Sequence, residues 1–377
     1  MSAYNDDQMR ILGQKLRDAR ERRGLTQEDA AELIDVSRTT ITAIEQGKRQ
    51  ISAIELAQLA HGYGREVSDF LREESRYQAV DIQFRAAQPD IHVPEEETEE
   101  FKTLCMDYYD LEQILGMPAA FNYPPEYPIR HLPLEQAAET VANRERTRLG
   151  LGDQPIGNNL RDILETEVGL RVFYLPLGAI SGMYFYTDAI GGCMAINRSQ
   201  PEERRRWNLA HEYAHFLTSR YESDITIYSD EGEAIKTKSE RMADAFARYF
   251  LMPTSSLMMR FNSMVQQANK FSIAALCILA NEYGVSIQAM ALRLENEKLL
   301  PAGTYARLQE RHFQVGEAQE KLGLAPVAGR DDMLPVRYRY LAVVAYDNGL
   351  INEGRLAKFL RVDRIEARAI IQAVLGG

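Results

Sequence analysis

Two of the six histidines in this 377-residue chain lie four residues apart, and Glu212 directly follows the first of them. On an α-helix, positions i and i+4 project from the same face, so His211 and His215 can reach one metal ion. Glu212 leans toward the same site, where a carboxylate can take a proton from a metal-activated water. This H-E-x-x-H spacing is typical of the helix that holds zinc in hydrolases, and it supplies two ligands and a general base.

A third ligand is expected on another element, because a catalytic zinc usually has three protein ligands and an open position for water. Residues 239–253 show a strong helical pattern that ends at a proline, and Ser239 is placed to cap this helix. Glu240 and Asp244 lie one turn apart on it and face the same way. We predict Glu240 as the third ligand of one zinc ion per chain. We predict Asp244 as the acceptor of the remaining ring N–H of a ligand histidine.

The two helices together resemble the ImmA/IrrE metallopeptidase family over roughly residues 130–255, with the zinc ligands arranged as in gluzincins. The resemblance implies an α+β zincin-like core and a specific endopeptidase, since known members remove repressors by cleavage in bacterial and phage regulation. Tyr213 and Ala214 stand where the family commonly has Leu and Gly, which leaves the ligand positions intact. The residues that carry the likeness are Leu209, Ala210, His211, Glu212, His215, Glu240, Ala243, Asp244, Phe246, Ala247, Leu251, Met252 and Pro253.

Further predictions concern the edge of the cleft, an inhibitory cysteine and the residue that stabilises the oxyanion. Residues 193–197 predict a strand that can form one edge of the cleft and pair with an extended substrate. Cys105 is a candidate for a thiolate that occupies the open zinc position and silences the enzyme, although inert buried cysteine is the commoner case. The candidates for a residue that stabilises the oxyanion are Tyr213, Tyr221, Tyr249 and His131.

Residues 1–72 predict a compact all-α unit of four helices. Thr26 can N-cap the second helix, with Asp29 three residues later as in a capping box, and Ser37 can cap the third helix. A very short turn at Val36 and Ser37 joins these two helices. Such an arrangement is typical of a helix-turn-helix.

This unit closely resembles the XRE/Cro-repressor class of DNA-binding domain in residues 24–28, 36–41 and 44–49. In that class the third helix lies in the major groove, the glutamine that opens the second helix contacts a phosphate, and dimers are common. The alternative is a helical protein-interaction module, because acids and bases are nearly balanced in residues 1–75 while phosphate contacts drive affinity for DNA. The residues that match the contact positions are Gln27, Ser37, Arg38, Thr39, Thr40 and Lys48.

Composition narrows the class of protein. A net charge of −11 argues against nucleic acid binding over the whole surface, though not at a local site. The three cysteines, Cys105, Cys193 and Cys277, are scattered and odd in number, which is typical of a reduced, cytoplasmic protein. The first residues lack the basic start and apolar core of a signal peptide, and no run approaches the roughly 18 apolar residues of a membrane span.

The predicted fold class is mainly α with an α+β zincin-like core. The all-α head at 1–72 is followed by a linker at 73–129 with acidic and proline-rich stretches and one helix at 101–115. The metallopeptidase domain at 130–255 contains a small sheet, with strands near 170–175, 183–187 and 193–197. Residues 256–377 form a C-terminal helical region, whose last helices are predicted near 338–348, 352–360 and 363–374.

Taken together, these patterns predict a cytoplasmic zinc-dependent endopeptidase of bacterial or phage type with a DNA-binding head. Its protein substrate is a specific repressor or antitoxin, which can itself carry a helix-turn-helix, and a homodimer is a further expectation. The alternative is a DNA-binding transcriptional regulator in which the zinc site is only structural or sensory.

Overall fold

A computed structural model describes residues 2–65, 67, 70, 95–119, 121–127, 132–157, 159–221, 224–227, 237–329 and 332–375. These residues form 17 α-helices, one π-helical turn and a four-stranded sheet, which confirms the predicted fold class. The chain divides into two compact units, Met1–Ala79 and Val80–Gly377. No single helix within these ranges is long and apolar enough to cross a membrane. The helices Ile273–Tyr283 and Ile287–Asn296, bent by 105°, pass that test only as a pair, by length and composition.

The first unit contains four described helices with well-formed ends. Thr26 caps the second helix, and its capping box with Asp29 is complete in both directions. Ser37 caps the third helix by accepting a hydrogen bond from the N–H of Thr40. The predicted caps are therefore confirmed. The helices are α1 (Ser2–Arg22), α2 (Gln27–Leu33), α3 (Arg38–Glu45) and α4 (Ala53–Gly62).

A buried ion pair connects α1 with α3. Arg20 Nε lies 2.6 Å from Glu45 Oε1, and both side chains are buried. Gln27 Nε2 donates to the other carboxylate oxygen of Glu45 at 2.8 Å, while its own carbonyl oxygen accepts from the Thr42 hydroxyl. Removal of either charge would leave the other buried without its partner, which is costly. The pair therefore fixes α2 and α3 against α1.

The second unit begins with two long helices, α5 (Glu95–Leu115) and α6 (Leu134–Arg148). α5 starts inside the acidic run that was predicted as linker, because acidic side chains are favoured in the first turn of a helix. The rest of the predicted linker up to residue 94 lies outside the described residues. A short helix, α7 (Leu160–Ile163), continues as the π-helical turn Leu164–Val168 and ends at Gly169, whose φ of 87° suits glycine.

The sheet has the strand order β1-β3-β2-β4. β3 pairs with β1 in parallel and with β2 in antiparallel orientation, and β4 pairs with β2 in antiparallel orientation. The strand predicted at 193–197 is thus an inner strand. The prediction that it forms a cleft edge is wrong, because both of its backbone edges are already paired. The strands are β1 (Arg171–Leu175), β2 (Ile180–Thr187), β3 (Gly191–Asn197) and β4 (Asp224–Ile227).

The remaining helices are α8 (Glu202–Thr218) between β3 and β4, and then α9 (Lys238–Leu251), α10 (Thr254–Ala268), α11 (Ile273–Tyr283), α12 (Ile287–Asn296), α13 (Thr304–Glu310), α14 (Val315–Lys321), α15 (Val336–Asp347), α16 (Glu353–Leu360) and α17 (Arg364–Leu375). The last three agree with the predicted C-terminal helices to within a few residues.

The register sorts the side chains of the sheet onto two faces. Gly182 and Ile196 are paired on the face that packs against α8. Arg171, Phe185 and Cys193 are paired on the opposite face, where α5 packs. The sheet therefore separates α8 from α5.

Candidate metal centre

One buried stretch of α8 carries the H-E-x-x-H motif. Pro201 precedes the helix, and acidic residues fill its first turn, as the sequence predicted. His211, Glu212 and His215 are all buried. The Nε2 atoms of the two histidines lie 3.2 Å apart, so the four-residue spacing directs both rings to one point.

Glu240 reaches this point from α9. Its Oε2 lies 3.3 Å from His211 Nε2, and its Oε1 lies 3.2 Å from His215 Nε2. α9 is capped by Thr237, whose hydroxyl accepts from the N–H of Glu240, so the prediction that Ser239 caps this helix is wrong. The two histidines and Glu240 are a group whose ligand atoms all lie within 4.8 Å of one another.

The separations of these ligand atoms fit zinc. Bonds of about 2.0–2.1 Å at tetrahedral angles place neighbouring ligand atoms roughly 3.3 Å apart. The two Nε2 atoms lie 3.2 Å apart, and the Glu240 carboxylate faces both rings, with Oε2 3.3 Å from His211 and Oε1 3.2 Å from His215. Glu240 Oε1 is also buried and accepts no well-directed hydrogen bond from the described residues, so a bound cation would satisfy it. Three such ligands leave the fourth tetrahedral position for water or substrate.

Two polar groups behind the histidines orient their rings. Asp244 Oδ1 lies 3.1 Å from His211 Nδ1. An ionised carboxylate only accepts hydrogen bonds, so Nδ1 carries the proton and Nε2 keeps its lone pair for a metal. Ser239 Oγ lies 3.4 Å from His215 Nδ1. This contact was not predicted, although the place of Ser239 directly before Glu240 was a usable signal.

Carboxylates give the site a negative potential. Burial by itself lowers the pKa of His211, but hydrogen bonds with Asp244 and Glu240 and the charge of Glu212 raise the pKa to about 10. Burial opposes ionisation of Glu240, yet its contacts with the two imidazoles hold the pKa of its carboxyl well below the ordinary value. The site therefore favours a cation, either a proton or a divalent metal.

The carboxylate of Glu212 lies against strand β2. A Cβ atom added to Gly182 would stand 2.5 Å from Glu212 Oε1, which is far closer than real Cβ contacts allow. Glycine at this position thus makes room for the predicted base. No local pattern indicates this contact, because it joins a strand to a helix residue thirty positions later.

The candidates for stabilising the oxyanion differ in burial and in the bonds that they make. Tyr213 is buried and donates from its hydroxyl to Glu145 Oε2 at 2.5 Å, so its prediction as an oxyanion donor is wrong. This bond to α6 also accounts for a tyrosine at this position of the motif. Tyr249 stacks on Arg293 and lies on the opposite side of α9 from Glu240. Tyr221 is exposed and remains a candidate, whereas His131 lies outside the described residues.

Cys105 lies on the other side of the sheet. Its thiol is buried on α5 against Cys193, and burial raises its pKa well above the ordinary value. Because the sheet stands between α5 and α8, the thiol cannot reach the ligand group, and the predicted inhibitory thiolate is wrong. Cys277 is buried in the core, as expected of an inert cysteine.

The predicted DNA contacts in the head are mostly exposed. Ser37, Arg38 and Thr39 lie exposed at the start of α3, and Lys48 lies exposed just beyond its end. Thr40 is partly buried, and its hydroxyl lies 2.9 Å from Ser37 Oγ. The side-chain amide of the remaining predicted contact, Gln27, bonds to Glu45 and Thr42 within the head. One of its two N–H groups is then left to bind a phosphate.

Comparisons with known proteins identify both parts of the chain. Residues 11–73 match the family model of a helix-turn-helix domain, and residues 165–295 match that of the IrrE N-terminal-like domain, peptidase family M78. The chain therefore contains a helix-turn-helix domain and a domain of a metallopeptidase family. More particularly, it joins a helix-turn-helix head to an ImmA/IrrE-type domain, as predicted.

Two solved structures match most of the chain in length but with low sequence identity and low structural similarity. The crystal structure of ComR from Streptococcus suis is 13% identical and covers 96% of this chain and 86% of its own, with a TM-score of 0.16. The apo form of the competence regulator ComR from Streptococcus vestibularis is 12% identical, and the match covers 84% of this chain and 100% of the ComR chain, also with a TM-score of 0.16. No curated protein matches the chain.

Proposed function

We propose that this protein is a zinc-dependent endopeptidase with a DNA-binding head, which controls gene expression by cleaving a specific repressor or antitoxin. The observation that carries the proposal is the group formed by His211, His215 and Glu240, with Glu212 directly beside it. Its ligand separations, orienting partners and negative potential all suit a single zinc ion. The match to a metallopeptidase family supports the same reading.

The residues divide the chemistry between them. His211, His215 and Glu240 would hold the zinc, Asp244 keeps the imidazole of His211 in the tautomer that binds it, and Ser239 lies against Nδ1 of His215. When bound, zinc polarises a peptide carbonyl and lowers the pKa of a water molecule to about 7. Glu212 would act as the base that takes a proton from the attacking water and gives it to the leaving amine.

The head supplies DNA binding. Arg38 and Lys48 provide exposed positive charge, and the hydroxyls at the start of α3 suit base edges or phosphates. A head of this kind can place the peptidase next to a substrate that is itself bound to DNA. The substrate class, a repressor with its own helix-turn-helix, follows from this placement and from the resemblance to the ImmA/IrrE family.

The alternative function is a DNA-binding regulator whose zinc site is structural or sensory. Burial of the ligand histidines and of Glu212 favours it, because structural zinc sites are closed to water. Against it, structural sites usually have four protein ligands, and the described group has three.

Glu212→Gln distinguishes the two functions, since it removes the base and leaves the three ligands in place. The full chain is incubated with helix-turn-helix regulators encoded near its gene, and fragments are mapped by mass spectrometry. We expect cleavage by the wild type and by a matched control, Glu203→Gln on the same helix. Glu212→Gln should keep its metal and cleave roughly 10²–10⁴-fold more slowly. Regulation that survives this change would reject the peptidase and leave the regulator.

A further inference from the structure

The C-terminal helices α16 and α17 repeat the local geometry of α2 and α3 in the head. Asn352 caps α16 by accepting from the N–H of Arg355, as Thr26 caps α2 by accepting from that of Asp29. Asp363 accepts from the N–H of Glu366 at the start of α17, three residues beyond the cap. Ser37 and Thr40 have this same relation at the start of α3. The distance along the chain between the two caps is the same in both pairs of helices.

The turn between the helices is also the same. Asp35 in the head has a φ of 54°, and Arg361 at the equivalent position has a φ of 57°. Both lie in the left-handed region that non-glycine residues seldom adopt. Val36 and Val362 follow directly, each partly buried. An uncommon backbone conformation at one shared position indicates the same helix-turn-helix geometry.

Several buried positions correspond, although Phe359 is buried where its counterpart Leu33 is exposed. Ala31 and Ile34 on the inner face of α2 match Ala357 and Leu360 on α16, and all four are buried. One side-chain bond recurs as well. Gln27 bonds to Thr42 in the head, and Glu353 bonds to Arg368 between α16 and α17. Residues 351–368, here called the second motif, thus reproduce residues 25–42 without a gap.

A third pair of helices has a similar turn, but the start of its second helix is buried. α11 and α12 also meet at a left-handed residue, Gly284, followed by Val285 and Ser286. The residue that begins α12, Ile287, is 3% exposed. The carbonyl of Gly284 accepts a hydrogen bond from Arg206, so this turn is built into the core. In contrast, Arg364 at the start of α17 is exposed, as Arg38 is in the head.

The exposed surface of the second motif is basic, although the chain as a whole carries a net charge of −11. Ile365, next to Arg364, is 78% exposed, and an apolar side chain at this position suits the methyl group of thymine. Arg368 is paired with Glu353, and the other exposed charged side chains of the second motif are Arg355, Lys358 and Arg364 against Asp363 and Glu366.

We infer that the second motif is a second site for duplex DNA, with the first turn of α17 in the major groove. Arg364 contacts guanine or a phosphate, Ile365 contacts thymine, and Lys358 adds positive charge for the backbone. The chain then reads two DNA elements, one with α3 and one with α17. This inference goes beyond the proposed function and does not depend on peptidase activity.

The test is a selection of bound sequences from a library of random DNA duplexes, with the full-length protein. The wild type should enrich two distinct elements. Arg38→Ala should lose one of them, and Arg364→Ala should lose the other. Arg311→Ala, which removes an exposed arginine outside both motifs, should keep both. On a duplex with the second element alone, Arg364→Ala should weaken binding roughly tenfold. If the contact is to a phosphate, the slope of log affinity against log salt should fall by about one.

Two results would overturn the inference. One is a single enriched element that Arg38→Ala abolishes and Arg364→Ala leaves unchanged, which would assign the surface of α17 to a protein partner. The other is unchanged affinity of Ile365→Glu for the second element. If the wild type enriches only the element that depends on Arg364, DNA binding by the head is rejected and the second site is supported. Circular dichroism of each variant is the control, and we expect spectra equal to that of the wild type because the substituted side chains are exposed.

Discussion

The two faces of the sheet carry different chemistry although they share the same four strands. The face toward α8 packs against the helix that carries the H-E-x-x-H motif, and it has Gly182 where the carboxylate of Glu212 needs room. The face toward α5 is filled with aromatic rings, among which Phe101 makes edge contacts with Phe173 and Phe185. Cys105 and Cys193 lie buried on this second face.

Position relative to the sheet, and not residue type, therefore decides which side chains take part in the site. A thiol is a good zinc ligand, yet Cys105 is on the face that holds no ligand group in the described chain. A glycine has no chemistry of its own, yet Gly182 decides where the base sits.

Among substitutions outside the ligands and the base, Gly182→Ala is expected to have the largest effect. The new Cβ would stand 2.5 Å from Glu212 Oε1 and would displace the base. A shift of about 1 Å in a reacting group can cost about 10²-fold in rate, so peptidase activity should fall by that order while the metal stays bound.

Gly192→Ala is the matched control on the same face. Its Cβ would press on the end of the Leu170 side chain, 2.5 Å away, and not on the base. Overpacking of this kind costs about 1–3 kcal/mol of stability, measurable by urea denaturation, with turnover unchanged. Equal losses of activity in the two variants would show that Gly182 matters only for packing.

Asp244→Asn should have the next largest effect. The amide can present an N–H to His211 Nδ1 and so favours the tautomer with the wrong nitrogen protonated. Loss of such a partner typically costs 10- to 100-fold in metal affinity, which competition with a zinc chelator measures. Ser239→Ala should cost less, because its hydroxyl lies 3.4 Å from His215 Nδ1. Equal affinity of Asp244→Asn and the wild type would show that Asp244 does not orient the ring.

The smallest effect is expected from Cys105→Ala. The thiol contacts Cys193 on the face away from the ligand group, so basal peptidase activity should not change. The variant should lose only about 1 kcal/mol of stability from the small cavity that it creates. A rise in basal cleavage would restore the inhibitory thiolate that the structure argues against.

The sequence predicted the parts of the site that rest on local helix geometry. His211, Glu212 and His215 are set by one helix, and the orientation of Asp244 relative to Glu240 follows from one turn of another. In the head, the caps at Thr26 and Ser37 were predictable for the same reason, since a cap bonds to residues three positions away.

What the sequence did not predict depends on pairing between distant segments. The strand order places β3 inside the sheet, and no local pattern distinguishes an inner strand from an edge. The bond from Tyr213 to Glu145 and the contact of Gly182 with Glu212 likewise join separate elements. The side of the sheet on which Cys105 lies follows from how α5 packs, which its own periodicity does not contain.

Metal content of the purified full-length protein, measured by mass spectrometry, tests the central claim most directly. We expect about one zinc ion per chain in the wild type and in Cys105→Ala, and strongly reduced zinc in His211→Ala and Glu240→Gln. That result would establish the three-ligand site. Absence of metal from the wild type, even after zinc is added back, would contradict the metal site and leave DNA binding as the function of the chain.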